Sequence, residues 1–203
     1  MNLKKLFPLQ KELDSHIVKE KGLEGQDLLD KKILALQVEL GELANEWRGF
    51  KFWSEDQEPN FKVESDCYYC DGYGTYFHWN YRPNIHKHVK CEKCNGVGVV
   101  SKKPLLEEYV DCLHFILSIG NDLGINEFNE YMLVHPEGNI TDCFLSIFEC
   151  VSSLDITKDS HDFSFLCRRF IELGISLGFN RKQIEQAYLE KNKINHERQQ
   201  NGY

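Results

Sequence analysis

The sequence predicts an all-α domain interrupted by one small β-hairpin insert. Two observations carry that prediction. Apolar residues recur at intervals of three and four along most of the 203-residue chain, the spacing that lines one face of a helix. Strand-type composition is confined to a short cysteine- and aromatic-rich segment ending near Val100.

The elements follow in order. Residues 2–21 form an amphipathic pattern through Leu3, Leu6, Phe7, Gln10, Leu13, Asp14 and Ile17, broken by Gly22 and Gly25. Residues 29–48 give the clearest helix, with Ile33, Leu36, Leu40, Leu43 and Trp47 on one face. Glu39, Glu42 and Glu46 form a stripe along its border. An acidic stretch from Ser54 to Asp66 reads as a linker into the cysteine-rich insert. Pro104 then suits the first turn of a helix that Gly120 is expected to end. Further helical patterns cover 141–154 and 162–177. Asn180 followed by Gln183 predicts a capping box for a last helix over 181–200. The expected organisation is a helical domain made of residues 1–65 and 101–203, with residues 66–100 as the insert.

Net charge is −8 and 41% of residues are hydrophobic. An acidic balance argues against the whole surface serving as a nucleic-acid platform. No apolar stretch approaches a membrane span and no apolar leader follows Met1, so a cytoplasmic protein without disulfides is expected.

Two helices each carry carboxylates three residues apart, Glu39 with Glu42 and Glu108 with Asp111. That spacing puts each pair on one helix face. The second pair lies in the apolar run from Leu105 to Leu117, where unpaired like charges are costly and a cation is the natural partner. An all-oxygen ligand set favours Mg²⁺, usually brought together with phosphates. Glu107, at i+4 from Asp111, competes for the same role. On the last helix Lys191, Asn195, Arg198 and Gln199 share a face able to hold phosphates, or simply to be solvated.

The insert repeats one pattern: Cys67-Tyr-Tyr-Cys70-Asp-Gly-Tyr-Gly74 and Cys91-Glu-Lys-Cys94-Asn-Gly-Val-Gly98. Two CxxC turns separated by twenty residues fit a structural Cys₄ zinc site, and both halves are similar to the repeats of DnaJ-type zinc fingers. Between Cys67 and Cys94 lie seven aromatics (Tyr68, Tyr69, Tyr73, Tyr76, Phe77, Trp79, Tyr81) and four Lys/Arg against two acidic residues. These aromatics either form the hairpin's own small core or offer a surface to single-stranded nucleic acid or a protein. Cys112, Cys143, Cys150 and Cys167 lie in apolar helical patterns and are expected in the core.

Several segments together resemble the dimeric dUTPase family of the all-α nucleoside triphosphate pyrophosphohydrolase superfamily, which includes MazG-like enzymes. They are Leu9-Gln10-Lys-Glu-Leu-Asp14, Glu39-Leu-Gly-Glu42, Lys51-Phe-Trp53, Glu108-Tyr-Val-Asp111 with His114-Phe115, and Lys191 through Tyr203. The resemblance implies a helical bundle that acts as a homodimer and hydrolyses dUTP, with dUDP as a second substrate, to dUMP. It implies that Glu39, Glu42, Glu108 and Asp111 hold Mg²⁺, with Glu39 positioning the attacking water. It further implies that Lys191 and Arg198 contact phosphate oxygens and that Gln10, Asp14, Lys51, Trp53, His114, Phe115, Asn195 and Tyr203 bind the rest of the deoxyuridine nucleotide. Two other readings stay open: a related pyrophosphohydrolase for another nucleotide such as dCTP, and a zinc-dependent nucleic-acid or protein-binding module with an inactive helical domain.

Overall fold

The structure is a computed structural model that describes residues 3–78, 87–125 and 138–202. Among these residues there are six helices: α1 (Leu3–Glu20), α2 (Leu29–Trp47), α3 (Pro104–Asp122), α4 (Ile140–Thr157), α5 (Ser160–Ser176) and α6 (Arg181–Gln200). Four short strands, β1 (Val63–Asp66), β2 (Thr75–His78), β3 (Lys87–Lys90) and β4 (Val99–Lys102), lie between α2 and α3. The chain divides into two compact units, one of residues Met1–Pro59 with Leu105–Tyr203, the other Asn60–Pro104. The second unit is wider than the 66–100 expected, because β1 and β4 close it outside the cysteines. No described helix is long and apolar enough to cross a membrane.

In the helical unit α1 packs on α6, α4 on α5 and α2 on α4. Helix α3 is buried almost all round, through Leu105, Leu106, Tyr109, Val110, Cys112, Leu113, Ile116, Leu117 and Ile119. Burying a side chain of this kind contributes about 1.5–3 kcal/mol, so α3 anchors the bundle. Tyr109 stacks on Phe170 of α5 with ring centroids 4.3 Å apart and donates its hydroxyl to the Phe170 carbonyl at 3.1 Å. Trp47 meets Phe144 across α2 and α4 at 5.4 Å. Glu172, 1% exposed, accepts from Arg168 at 3.0 Å and Arg169 at 3.1 Å, which makes its burial tolerable.

The helix ends follow local chemistry. Asn139 and Asp142 form a capping box on α4, and Asp159 caps α5 through the Asp162 N–H at 2.9 Å. The Asn180–Gln183 box expected on α6 is formed, with reciprocal bonds of 2.9 and 3.0 Å. Gly120 does not end α3, which runs on to Asp122. A Cβ at Gly120 would lie 2.5 Å from Phe163 Cζ and 2.7 Å from Phe7 Cε1. The glycine therefore permits close packing, and the left-handed turn comes at Gly124, φ +70°.

The insert consists of two antiparallel ribbons joined by two cysteine knuckles. β1 pairs with β4 from Val63↔Lys102 to Asp66↔Val99, and β2 with β3 from Thr75↔Lys90 to His78↔Lys87. The knuckles are related by a pseudo-twofold. Cys67 N–H donates to the Gly98 carbonyl and Cys91 N–H to the Gly74 carbonyl, both at 2.8 Å. Gly74 N–H donates to Cys70 Sγ and Gly98 N–H to Cys94 Sγ, both at 3.2 Å. Asp71 and Asn95 occupy matching left-handed positions, φ 48° and 52°. A Cβ at Gly74 would collide with the Gly96 carbonyl, and one at Gly98 with that of Gly72, so the halves interlock only through glycine.

Candidate active site and metal centres

A helix buried on every side must find partners for its polar residues. On α3 these form one seam, Glu108, Asp111, His114 and Ser118, at helical spacing. The seam meets three other helices in turn.

At its first end the carboxylates of Glu39 on α2 and of Glu108 and Asp111 on α3 converge, their closest oxygens within 4.8 Å of one another. All three are half-buried. Burial, then the Asp111 and Glu42 charges, push the Glu39 carboxyl up to about 7. The same causes, with Glu39 added, push Glu108 up to about 7. Burial also raises Asp111, against the pull of Lys191 on α6, whose ammonium donates to Asp111 Oδ2 at 2.5 Å. Arg198 adds positive potential at Asp111 and donates to Asn195 Oδ1 at 3.4 Å. Burial and mutual repulsion favour the neutral carboxyls of Glu39 and Glu108, a bias that added positive charge would relieve. Their oxygen chemistry fits a hard divalent cation. Glu42 is exposed and stands outside the convergent group, though its charge reaches Glu39 and Glu108. Glu107 is exposed, and Glu46 is half-buried.

Further along, His114 and Ser118 meet α1 and α6. Gln10, 3% exposed, donates its amide N–H to Asp14 Oδ1 at 2.8 Å, and Ser118 donates to Asp14 Oδ2 at 2.8 Å. That fixes the Gln10 oxygen toward His114 Nδ1 at 2.6 Å and the Tyr188 hydroxyl at 3.0 Å. An amide oxygen only accepts, so the hydrogen-bond network assigns the imidazole hydrogen to Nδ1. Nε2 is then a bare acceptor, and it is buried with no hydrogen-bond partner among the described residues. Burial, then Lys191, hold the His114 pKa down at about 3, leaving the ring neutral. Tyr188 stacks on it at 4.3 Å. Asp14 is raised by burial, opposed by its bonds from Gln10 and Ser118.

The remaining candidates fall as follows. Phe115 is half-buried against the core. Trp53 is 65% exposed and meets Phe50 and Phe52 edge-on at 5.8 and 5.0 Å, so it is not a core aromatic. Lys51 reaches the Asn45 carbonyl at 3.4 Å. Tyr203 lies outside the described residues. Tyr188 and Ser118 were missed by sequence reasoning. Both were findable, since Tyr188 precedes Lys191 by three residues and Ser118 follows His114 by four. A cleft of about 290 Å³ between α4 and α5, lined by Ser146, Cys150, Ser153, His161, Asp162 and Phe165 among others, shares no residue with this seam.

In the insert, Cys67, Cys70, Cys91 and Cys94 are buried together, with Tyr76 and Val100 packed against them. The Cys67–Cys91 and Cys70–Cys94 sulfur separations are 3.8 and 3.7 Å. A tetrahedral site with Zn–S bonds of about 2.3 Å has edges of about 3.8 Å, so the thiols fit that ion. Cys112, Cys150 and Cys167 are core residues, and Cys143 is half-buried.

A helical bundle with carboxylates from two helices converging beside a cationic third helix defines the all-α nucleotide pyrophosphohydrolase class. The profile of the family described as dUTPase matches residues 2–92 and 95–203. The chain belongs to the dimeric all-α dUTPase family, a family of dUTP diphosphatases. A search of curated proteins finds no match to it.

Proposed function

We propose that this chain hydrolyses dUTP to dUMP and pyrophosphate with Mg²⁺, and accepts dUDP as a second substrate. The observation that carries this reading is the single polar seam on α3, which joins a cation-seeking carboxylate group to a buried, unpartnered acceptor. Glu39, Glu108 and Asp111 would hold the cation, with Glu42 completing the set. A magnesium ion held there would supply positive charge for the phosphate chain and acidify water. Glu39 would orient water and take its proton. Lys191 and Arg198 hold phosphate oxygens, with Asn195 beside them.

At the other end of the seam, His114 Nε2 accepts the N3–H of uracil. Cytosine presents a lone pair at N3 and would face another lone pair there. A site built to receive a donor rejects an analogue lacking it by large factors. Gln10, Asp14 and Tyr188 keep the imidazole in that tautomer, while Phe115, Trp53 and Lys51 close around the nucleoside with Tyr203.

We assign zinc to the four-cysteine group, as a closed structural site that takes no part in hydrolysis. We also propose a homodimer. Leu34 and Val38, one turn apart on α2, are 62% and 53% exposed, and a second copy would cover them. Sedimentation of the purified protein, and of Leu34→Glu, tests that assembly.

The deciding experiment is turnover of dUTP, dUDP, dCTP and UTP with Mg²⁺. Preference for dUTP supports the reading. Preference for dCTP, or turnover of none, overturns it.

A further inference from the structure

The pseudo-twofold of the insert provides an internal comparison. Position by position, Tyr68 matches Glu92, Tyr69 matches Lys93, and Tyr73 matches Val97. The second knuckle makes the same turns, the same N–H to sulfur bond and the same left-handed residue as the first. It does so with no aromatic at any of these positions. Closing a knuckle around the thiols therefore does not require Tyr68, Tyr69 or Tyr73. Nor do they form the small core, a task that falls to Tyr76 and Val100. They are 74%, 50% and 82% exposed.

Exposed rings gathered into one patch mark an interaction surface, where singly scattered ones do not. Tyr68 and Tyr69 lie against one another at 4.0 Å. Lys93 from the second knuckle stands over the Tyr69 ring at 5.1 Å, so the two knuckles present one continuous face of rings and cation. Charge points to the kind of ligand. Residues 60–104 carry seven Lys/Arg against four Asp/Glu, in a chain whose net charge is −8. The two negative charges of a tetrathiolate zinc centre leave this unit still positive and the rest of the chain strongly acidic.

We infer that the face formed by Tyr68, Tyr69 and Lys93, together with the exposed Tyr73 of the same knuckle, binds single-stranded nucleic acid. Flat bases stack on the tyrosines and the phosphates follow the lysines, an arrangement that tolerates any sequence because every base offers a π-face. This surface and the hydrolytic seam share no residue, and the inference does not depend on the identity of the nucleotide hydrolysed.

The repeat itself supplies the variant. Tyr68→Glu, Tyr69→Lys and Tyr73→Val together give the first knuckle the residues with which the second already folds, and they leave net charge unchanged. The measurement is fluorescence anisotropy of a labelled oligothymidylate with the full zinc-loaded chain, without Mg²⁺. The parent should bind, with affinity falling linearly on a log–log plot against salt. The triple variant should bind at least about tenfold more weakly, with unchanged zinc content and unchanged nucleotide turnover. If the triple variant loses zinc, Lys93→Glu decides instead, by the same loss of binding. No binding at low salt, or equal binding by the variant, overturns the inference. So does tyrosine-dependent binding of a reduced, unfolded polypeptide in preference to the oligonucleotide, which would make the partner a protein.

Discussion

The ammonium of Lys191 lies 2.5 Å from Asp111 Oδ2, so helix α6 already neutralises one of the three convergent carboxylates. The lysine and an incoming cation therefore compete for the same oxygen. In Lys191→Met the carboxylates lose that counter-charge, and Mg²⁺ should bind the nucleotide-free protein several-fold more tightly. Turnover should nevertheless fall, with KM for the nucleotide raised at least about tenfold, since a charge-assisted contact is worth about 1.5–3 kcal/mol. Calorimetric titration with Mg²⁺ checks the first outcome and steady-state kinetics the second. Weaker Mg²⁺ binding would refute the competition.

Glu108→Gln and Asp111→Asn should each lower kcat by more than about a hundredfold at saturating Mg²⁺ while the helical content is kept, a loss of about 2.7 kcal/mol in transition-state stabilisation. Glu108→Gln removes repulsion inside the group, so its metal-free melting temperature should stay level or rise, whereas Asp111→Asn also takes the partner of Lys191 and should not gain. Activity within tenfold of the parent would remove these residues from the metal set.

The same crowding sets a pH dependence. Glu39 and Glu108 titrate near 7 in the folded metal-free protein, against an ordinary 4.5. Folding favours their neutral forms. Their contribution to stability is thus full below 4.5 and is lost as pH rises through 7. Mg²⁺ should raise the melting temperature more at about pH 8 than at about pH 5.5. The double variant Glu39→Gln, Glu108→Gln should lose most of that difference. His114 acts in the opposite sense: with its pKa held near 3, its contribution is complete above its ordinary 6.5 and disappears on acidification.

Tyr188→Phe removes one of two hydrogens donated to Gln10 and keeps the ring stacked on His114. A buried hydrogen bond of this kind contributes about 0.5–1.5 kcal/mol, so thermal unfolding should shift modestly. With Gln10 less firmly held, the ratio of dUTP to dCTP turnover should fall, though dUTP remains preferred. An unchanged ratio would make the tyrosine a packing residue only.

Much of this organisation was legible in the chain because burial and spacing coincide. Glu108 and Asp111 stood out as charges inside an apolar run, and α3 is indeed enclosed. Asn180 and Gln183 announced the start of α6 because a capping box is local chemistry. The cysteine repeat was equally local. What could not be read was the identity of the facing partner. Helical spacing shows which residues share a face, not what lies opposite, so Tyr188 and Ser118 were not singled out. Gly120 was misread as a stop, because a glycine that ends a helix and one that admits two phenylalanines look alike in sequence. Glu42 shares a face with Glu39 and its charge reaches the group, yet only Glu39 of that pair is among the convergent carboxylates.

The crossed backbone bonds of the insert, Cys67 to Gly98 and Cys91 to Gly74, have a consequence for how it unfolds. Each knuckle borrows its closing carbonyl from the other, so neither is stable by itself. Opening one releases both, and the amides of the two turns should exchange with solvent at a common rate governed by a single opening event. The insert would then behave as a two-position latch, whole or undone, rather than a pair of loops that loosen one at a time.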